Sequence, residues 1–228
     1  VSPTASHQKR ILPLDKECLA DKAVDYKLYS ILQKISHYNG KGVRFVYKNH
    51  PTLGNLTRPR LLEIYNEKCT DPQERISLST LKRKMVLFKS IGMISEGKIE
   101  DIINGKEVSA FILLENFALF QYIPLETLEY LADTASSTVI KLYALLLNKF
   151  LWKAKFNDTY VFTYAELAAE IGLQDNNNGN TRIIRNCLNS LSNSGLIDYC
   201  DFYVMTDSGV PSPRKRLINV SQHYKKKI

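Results

Sequence analysis

Arg182, Arg185, Asn186 and Asn189 fall on one side of the stretch "TRIIRNCLNSLSNSGLIDY", Thr181 to Tyr199, while Ile184, Leu188 and Leu191 fall on the other. The apolar residues recur at i, i+4 and i+7, the spacing of one buried face of an amphipathic helix. Gly195 stands where a left-handed residue ends such a helix. The outer face carries guanidinium and carboxamide groups, which bind a partner rather than break its bonds.

Groups that would do covalent chemistry are missing. His7, His37, His50 and His223 are isolated from one another, so the sequence offers no paired histidines for a metal-dependent nicking site. "NGKGV" is too short for a phosphate-binding loop and lacks its partner residues, and no Gly-x-Ser-x-Gly elbow occurs. Cys18, Cys69, Cys187 and Cys200 show neither C-x-x-C spacing nor a histidine at zinc-finger distance, and read as reduced thiols. Glu63 and Glu67 sit beside basic residues on one helix face, a solvated ion-pair surface. The sequence therefore predicts a protein that binds, with no catalytic residue, metal or cofactor.

Charge narrows what it binds. The chain has 228 residues, 31 basic and 23 acidic, for a net charge of +8. Between Lys41 and Lys89 there are eleven Lys or Arg and four acids; from Arg182 onward there are eight and three. Between them "ENFALFQYIPLETLEYLAD" holds Glu115, Glu126, Glu129 and Asp133 and no base. Two basic regions flanking an acidic one suggest two surfaces facing one polyanion, with nucleic acid foremost. No apolar run reaches membrane-spanning length and no signal sequence opens the chain, so a cytoplasmic protein is expected. Val1 and the closing "YKKKI" make the sequence read as a piece of a longer one.

The two halves repeat one another. "KLYSIL", Lys27 to Leu32, recurs as "KLYALL", Lys141 to Leu146. "LKRKMVLFKSIGMIS" aligns with "IIRNCLNSLSNSGLID" when Gly92-Met93-Ile94 is set against Gly195-Leu196-Ile197. Leu28 to Met93 spans 65 positions and Leu142 to Leu196 spans 54, so the parts keep their order and only loops differ. Each unit reads helix, short strand, helix, helix, hairpin. In the first, Asp25 to His37 is a helix and "VRFVYK" a strand. Thr57 caps a helix with Pro59 in its first turn, and Ser77 or Ser79 caps the next, ending near Ser90. Asn104-Gly105 then turns a hairpin. In the second, Ser137 to Leu151 is the first helix and "YVF" the strand. Thr163 caps a helix ending at Gly172, Thr181 opens the third helix, and "IDYCDFYVM" pairs with "RKRLINV" around "TDSGVPSP". The expected fold is α+β, mostly helical. Residues 1–24 form an arm, 25–115 one domain, 116–136 a connecting segment and 137–228 a second domain.

The pattern "TYAELAAEIGL…TRIIRNCLNSLSNSGLI" resembles the DNA-reading helices of winged helix-turn-helix proteins, and Asp25 to Val220 looks like a tandem pair of them. "YIPLETLEYLADTASSTVIKLYALLLNKF" is similar to plasmid and phage replication initiators and replisome organisers of low-GC bacteria. This resemblance implies that the third helix of each unit enters a major groove, where arginine pairs with guanine and asparagine with adenine. Its readers are Thr181, Arg182, Arg185, Asn186 and Asn189 in the second unit and Ser79, Thr80, Lys82, Arg83 and Lys89 in the first. The lysine-rich first set suits phosphates, the second set base edges. Arg214, Lys215 and Arg216 would carry the second wing's contact and Lys106 the first's, with "HQKR", His7 to Arg10, as an arm along the groove.

The function so implied is a double-stranded DNA-binding replication initiator without catalytic activity, spanning two major-groove faces roughly 34 Å apart and recruiting replication proteins. A transcriptional regulator is the alternative. It would bind operator DNA as a homodimer, with 115–135 as a possible interface. A protein-docking module is the third reading.

Overall fold

Asp25 accepts a hydrogen bond from the Leu28 N–H at 2.9 Å and so starts the helix on which the rest of the chain is built. The computed structural model describes residues 9–39, 42–48, 56–103, 105–173 and 178–223, with nothing said of the Asn178 side chain. His7, Lys41, His50, Asn104 and the terminal lysines lie outside them. The order is β1 (Lys9–Pro13), α1 (Lys16–Ala20), α2 (Tyr26–Lys34), β2 (His37–Tyr38), β3 (Arg44–Tyr47), α3 (Arg58–Glu67) and α4 (Leu78–Ser90). There follow β4 (Ile94–Glu100), β5 (Glu107–Leu113), β6 (Phe120–Pro124), α5 (Leu125–Thr134) and α6 (Ser137–Ala154). The last elements are β7 (Val161–Phe162), α7 (Tyr164–Glu170), α8 (Asn178–Asn193), β8 (Ile197–Met205) and β9 (Pro211–Val220). The fold is α+β, as the sequence predicts.

The repeat is visible in the topology. β3 lies beside β5 in the order β2-β3-β5-β4, and β7 lies beside β9 in the order β7-β9-β8. In both units, then, the short strand before the helix pair joins the second strand of the hairpin. The repeated helices α2 and α6 pack on each other at the centre, which is why every residue from Tyr26 to Gln33 and from Val139 to Leu147 is buried. Burial extends to their lysines. The Lys27 ammonium donates to the Lys68 carbonyl at the end of α3 (2.6 Å), and that of Lys141 to the Leu19 and Asp21 carbonyls at the end of α1 (3.0 Å each). Each cation thus satisfies carbonyls that a helix terminus leaves without a partner. Burial lowers Lys141 to about 8.

Local signals explain most boundaries. Ser136 caps α6, Thr57 caps α3, and Thr163 with Glu166 forms a reciprocal capping box at α7. Of the two serines expected at α4, Ser77 is the cap, accepting from the Thr80 N–H at 3.2 Å. α8 opens at Asn178, three residues before Thr181. α2 stops at Lys34, where the Ser36 hydroxyl donates to the Gln33 carbonyl (2.7 Å), and His37 goes into a strand.

The segments expected outside the units differ most from the sequence reading. Residues 9–13 are no free arm: they form β1, antiparallel to β6, with Arg10 opposite Ile123. Ile11, Leu12 and Leu14 are buried, and the Arg10 guanidinium donates to the Gln33 carbonyl at 3.1 Å. Burial lowers Arg10 to about 10. The 116–136 segment supplies β6 and α5, and α5 packs on α2. One contiguous core draws on β1, both units and α5, because the apolar residues of the outer segments have α2 and α6 to cover. Among the described residues no helix is long and apolar enough to cross a membrane.

Candidate nucleic-acid interface

The α8 side chains separate as their spacing requires. Ile184, Cys187, Leu188 and Leu191 are buried, while Arg182, Arg185, Asn186, Asn189, Ser190 and Asn193 are exposed. At 100° per residue Arg182, Arg185, Asn186 and Asn189 lie within one stripe. Thr181 is half-buried at its edge. Ile183, expected on neither face, is 41% exposed. The C-terminal half of the stripe forms an open cleft lined by Asn186, Asn189 and Asn193, with Tyr130 of α5 as its other wall.

Two of these side chains are held. The Arg185 guanidinium carbon stands 5.6 Å from the centre of the Tyr164 ring on α7, and the Lys215 ammonium stands 5.6 Å from the same ring. The Tyr199 hydroxyl on β8 donates to Asn189 Oδ1 at 3.1 Å. Neither tyrosine is marked out by the sequence patterns above. The position of Tyr164 directly after the Thr163 cap is the only signal for it. Arg182 and Arg185 make no ion pair among the described residues.

The hairpin cations are placed differently from the sequence reading. β9 begins at Pro211, so Arg214, Lys215 and Arg216 lie in mid-strand opposite Phe202, Asp201 and Cys200, and the tip is Thr206–Val210. Arg214 pairs with Glu166 of α7 at 2.7 Å and Lys215 pairs with Asp201. Arg216 is exposed, with its guanidinium carbon 5.6 Å from the Phe202 ring. Arg214 thus clamps the hairpin to α7 while Lys215 braces its two strands, and the outer end of the hairpin presents Tyr203, Met205 and Val210, each more than half exposed.

No protein-family model, curated protein or solved structure matches this chain.

In the first unit, α4 turns Ser79, Lys82, Arg83 and Val86 outward. Ser79 and Thr80 are engaged with the cap, their hydroxyls 2.8 and 3.1 Å from Ser77 Oγ. Lys82 and Arg83 form no ion pair among the described residues; Arg83 reaches only the Thr80 hydroxyl, at 3.4 Å. Lys89, expected among the phosphate contacts, is bound to Glu96 of β4, which also takes Lys48 at 2.6 Å and has Arg58 at 4.0 Å. Hydrogen bonds from Lys48 and Lys89 hold the Glu96 carboxyl at about 2. Lys106 is exposed in the first hairpin's turn, whose Ile102 and Ile103 are exposed and whose strands carry Glu96, Glu100 and Glu107 against Lys98. Lys84 pairs with the buried Asp25 at 3.0 Å.

The acidic segment is also engaged. Glu115 meets Arg44 at 3.1 Å, Asp133 meets Lys34 and Lys68 at 2.9 and 3.1 Å, and Glu126 meets His223 at 2.6 Å. Among the described residues no three His, Cys, Asp or Glu side chains are grouped to hold a metal ion.

Proposed function

We propose that the chain is a double-stranded DNA-binding protein made of two winged helix-turn-helix units, acting as a plasmid or phage replication initiator that binds an origin and recruits replication proteins. The observation that carries this reading is the α8 stripe. Arg182, Arg185, Asn186 and Asn189 are exposed in register on a helix whose other face is locked into the core, with a hairpin clamped beside it. Guanidinium and carboxamide groups on a rigid helix are the donor and acceptor sets that distinguish base pairs in the major groove. Lys82 and Arg83 on α4 are suited to phosphates, which position a protein without reading sequence.

The regulator reading is less well supported, because three of the four acids of 115–135, Glu115, Glu126 and Asp133, already meet Arg44, His223, Lys34 and Lys68 within the chain. The first hairpin, with more acid than base, leaves phosphate contact to α4.

Selection of random duplexes by the purified chain at about 150 mM salt, followed by sequencing of the bound pool, tests the proposal. The expected result is an enriched motif with direct repeats, lost in R182A/R185A while the circular dichroism spectrum is kept. A pool that stays random overturns DNA reading, and a palindrome bound by a dimer overturns the initiator role.

A further inference from the structure

Tyr164 and Tyr199 connect the helix pair to the hairpin at the two residues on which base reading depends. Tyr164 opens α7 and lies half-buried beneath the guanidinium of Arg185 and the ammonium of Lys215. Tyr199 leaves the core on β8 and ends on Asn189. The two phenols are neighbours: burial, and next the proximity of Tyr164, push the Tyr199 hydroxyl up from its ordinary range, and like any phenol it keeps its proton at neutral pH. Lys215 is fixed in turn by Asp201 across the hairpin. α7, α8, β8 and β9 therefore meet in one cluster, on which Arg185 and Asn189 are exposed.

Two physical consequences follow. A long arginine side chain resting on an aromatic face has fewer rotamers to lose when it binds a partner, so contact with Tyr164 prepares Arg185 for a directed hydrogen bond. Asparagine is ambiguous, because its amide presents an acceptor on one side and two donors on the other. A hydroxyl donating to Oδ1 resolves the ambiguity: the oxygen is turned to Tyr199, and the Nδ2 hydrogens are left to face outward.

We propose, on the basis of the DNA reading above, that Tyr164 and Tyr199 are positioning residues that set the base preference of the second unit. Tyr164 orders Arg185. Tyr199 holds Asn189 with its N–H groups outward, so that Asn189 selects a base edge offering an acceptor, such as a purine N7 or the O4 of thymine, over one offering a donor.

The test uses the full chain, the duplex selected by the wild type, and duplexes carrying each single base-pair change. N189A first identifies the base pair that Asn189 reads. At that pair Y199F is expected to lose discrimination by about fivefold or more, while its affinity for an unrelated duplex stays within about twofold of wild type. The double variant should be no worse than N189A, as for two residues acting through one contact. At the pair read by Arg185, Y164L is expected to flatten the preference and Y164F, which keeps the ring, to restore it. Two results overturn the proposal: wild-type discrimination in Y199F, or an equal loss of affinity for every duplex, which a merely structural hydroxyl would give. A wild-type chain that selects no sequence overturns the DNA reading itself, and does so before any variant is made.

Discussion

Tyr29 and Tyr143 occupy matching places in the two units and make the same bond. Each hydroxyl donates to the carbonyl just past its unit's second hairpin strand, Leu114 at 3.4 Å and Ser221 at 2.7 Å. The next bond repeats as well: the Leu114 N–H donates to the Met93 carbonyl (3.0 Å) and the Ser221 N–H to that of Leu196 (2.8 Å). Both rings are fully buried. Removing either hydroxyl leaves a carbonyl to find another partner, and the shorter bond has more to lose. Tyr143→Phe is expected to destabilise by about 1–2 kcal/mol and Tyr29→Phe by about half that or less. Urea unfolding of the two variants decides it, and equal losses would contradict the difference in geometry.

How far the sequence discloses this arrangement depends on the range of the interaction. "KLYSIL" against "KLYALL" and Gly92 against Gly195 can be aligned from the sequence because helix spacing and a glycine after a helix are local signals, and the strand orders β2-β3-β5-β4 and β7-β9-β8 agree with that pairing of parts. The partner of β1 lies more than a hundred residues away, so "HQKR" reads as an arm along the groove although Arg10 is buried. Lys27 and Lys141 look like surface residues in apolar helices, since the carbonyls that accept from them belong to other elements. The α8 stripe was legible from periodicity alone. The engagement of Lys89, Arg214 and Lys215 was not, because each acid that takes them comes from another strand or helix.

Gly172 ends α7 at φ +82°, and a Cβ placed on it would stand 1.9 Å from the Ala20 carbonyl oxygen of α1. Gly195 ends α8 at φ +72° with nothing within 4 Å. Both positions strain an L side chain, by about 1–2 kcal/mol. Only Gly172 adds a collision with backbone. Gly195→Ala is expected to cost about that strain, and Gly172→Ala to cost more and to loosen the N-terminal segment. Limited proteolysis before Asp21, alongside the melting temperatures, measures both effects. Equal behaviour of the two variants would mean that α1 is not seated on α7.

Burial pushes the Cys187 thiol, on the inner face of α8, from 9.0 up to about 12. A group whose folded pKa is raised contributes stability that is whole below the unfolded pKa and is lost as pH climbs toward the folded one. The unfolded chain releases its proton near pH 9 and the folded chain holds it. Stability should therefore fall between pH 9 and 12, and buried Cys18, raised by burial to about 11, adds to the same decline. Cys187→Ala is expected to lower stability by about 1 kcal/mol at pH 7, for the lost packing. It should also have a shallower alkaline limb than wild type in urea midpoints taken across that window. Parallel limbs would show that the thiol does not stay protonated.

Glu96 decides what Lys89 can do. Hydrogen bonds from Lys48 and Lys89 draw its carboxyl from 4.5 to about 2, and Arg58 stands 4.0 Å away. A folded pKa depressed in this way contributes stability that is present above pH 4.5 and lost as pH falls through 2. Because the site is partly open to solvent, Glu96→Gln is expected to cost only about 1 kcal/mol at pH 7. The deficit against wild type should shrink steadily as urea midpoints are followed from pH 5 down to 2. The same substitution releases Lys48 and Lys89 on the unit that carries Lys82 and Arg83. In salt titrations of binding to an unrelated duplex, Lys82→Ala and Arg83→Ala should each reduce the slope of log affinity against log salt by about 1. Lys89→Ala should leave the slope unchanged in the wild-type background and reduce it only once Glu96 has become glutamine. If Lys89→Ala weakens binding as much as Lys82→Ala while Glu96 is intact, the ion pair opens on DNA and Lys89 belongs to the contact face that the sequence pattern assigns it.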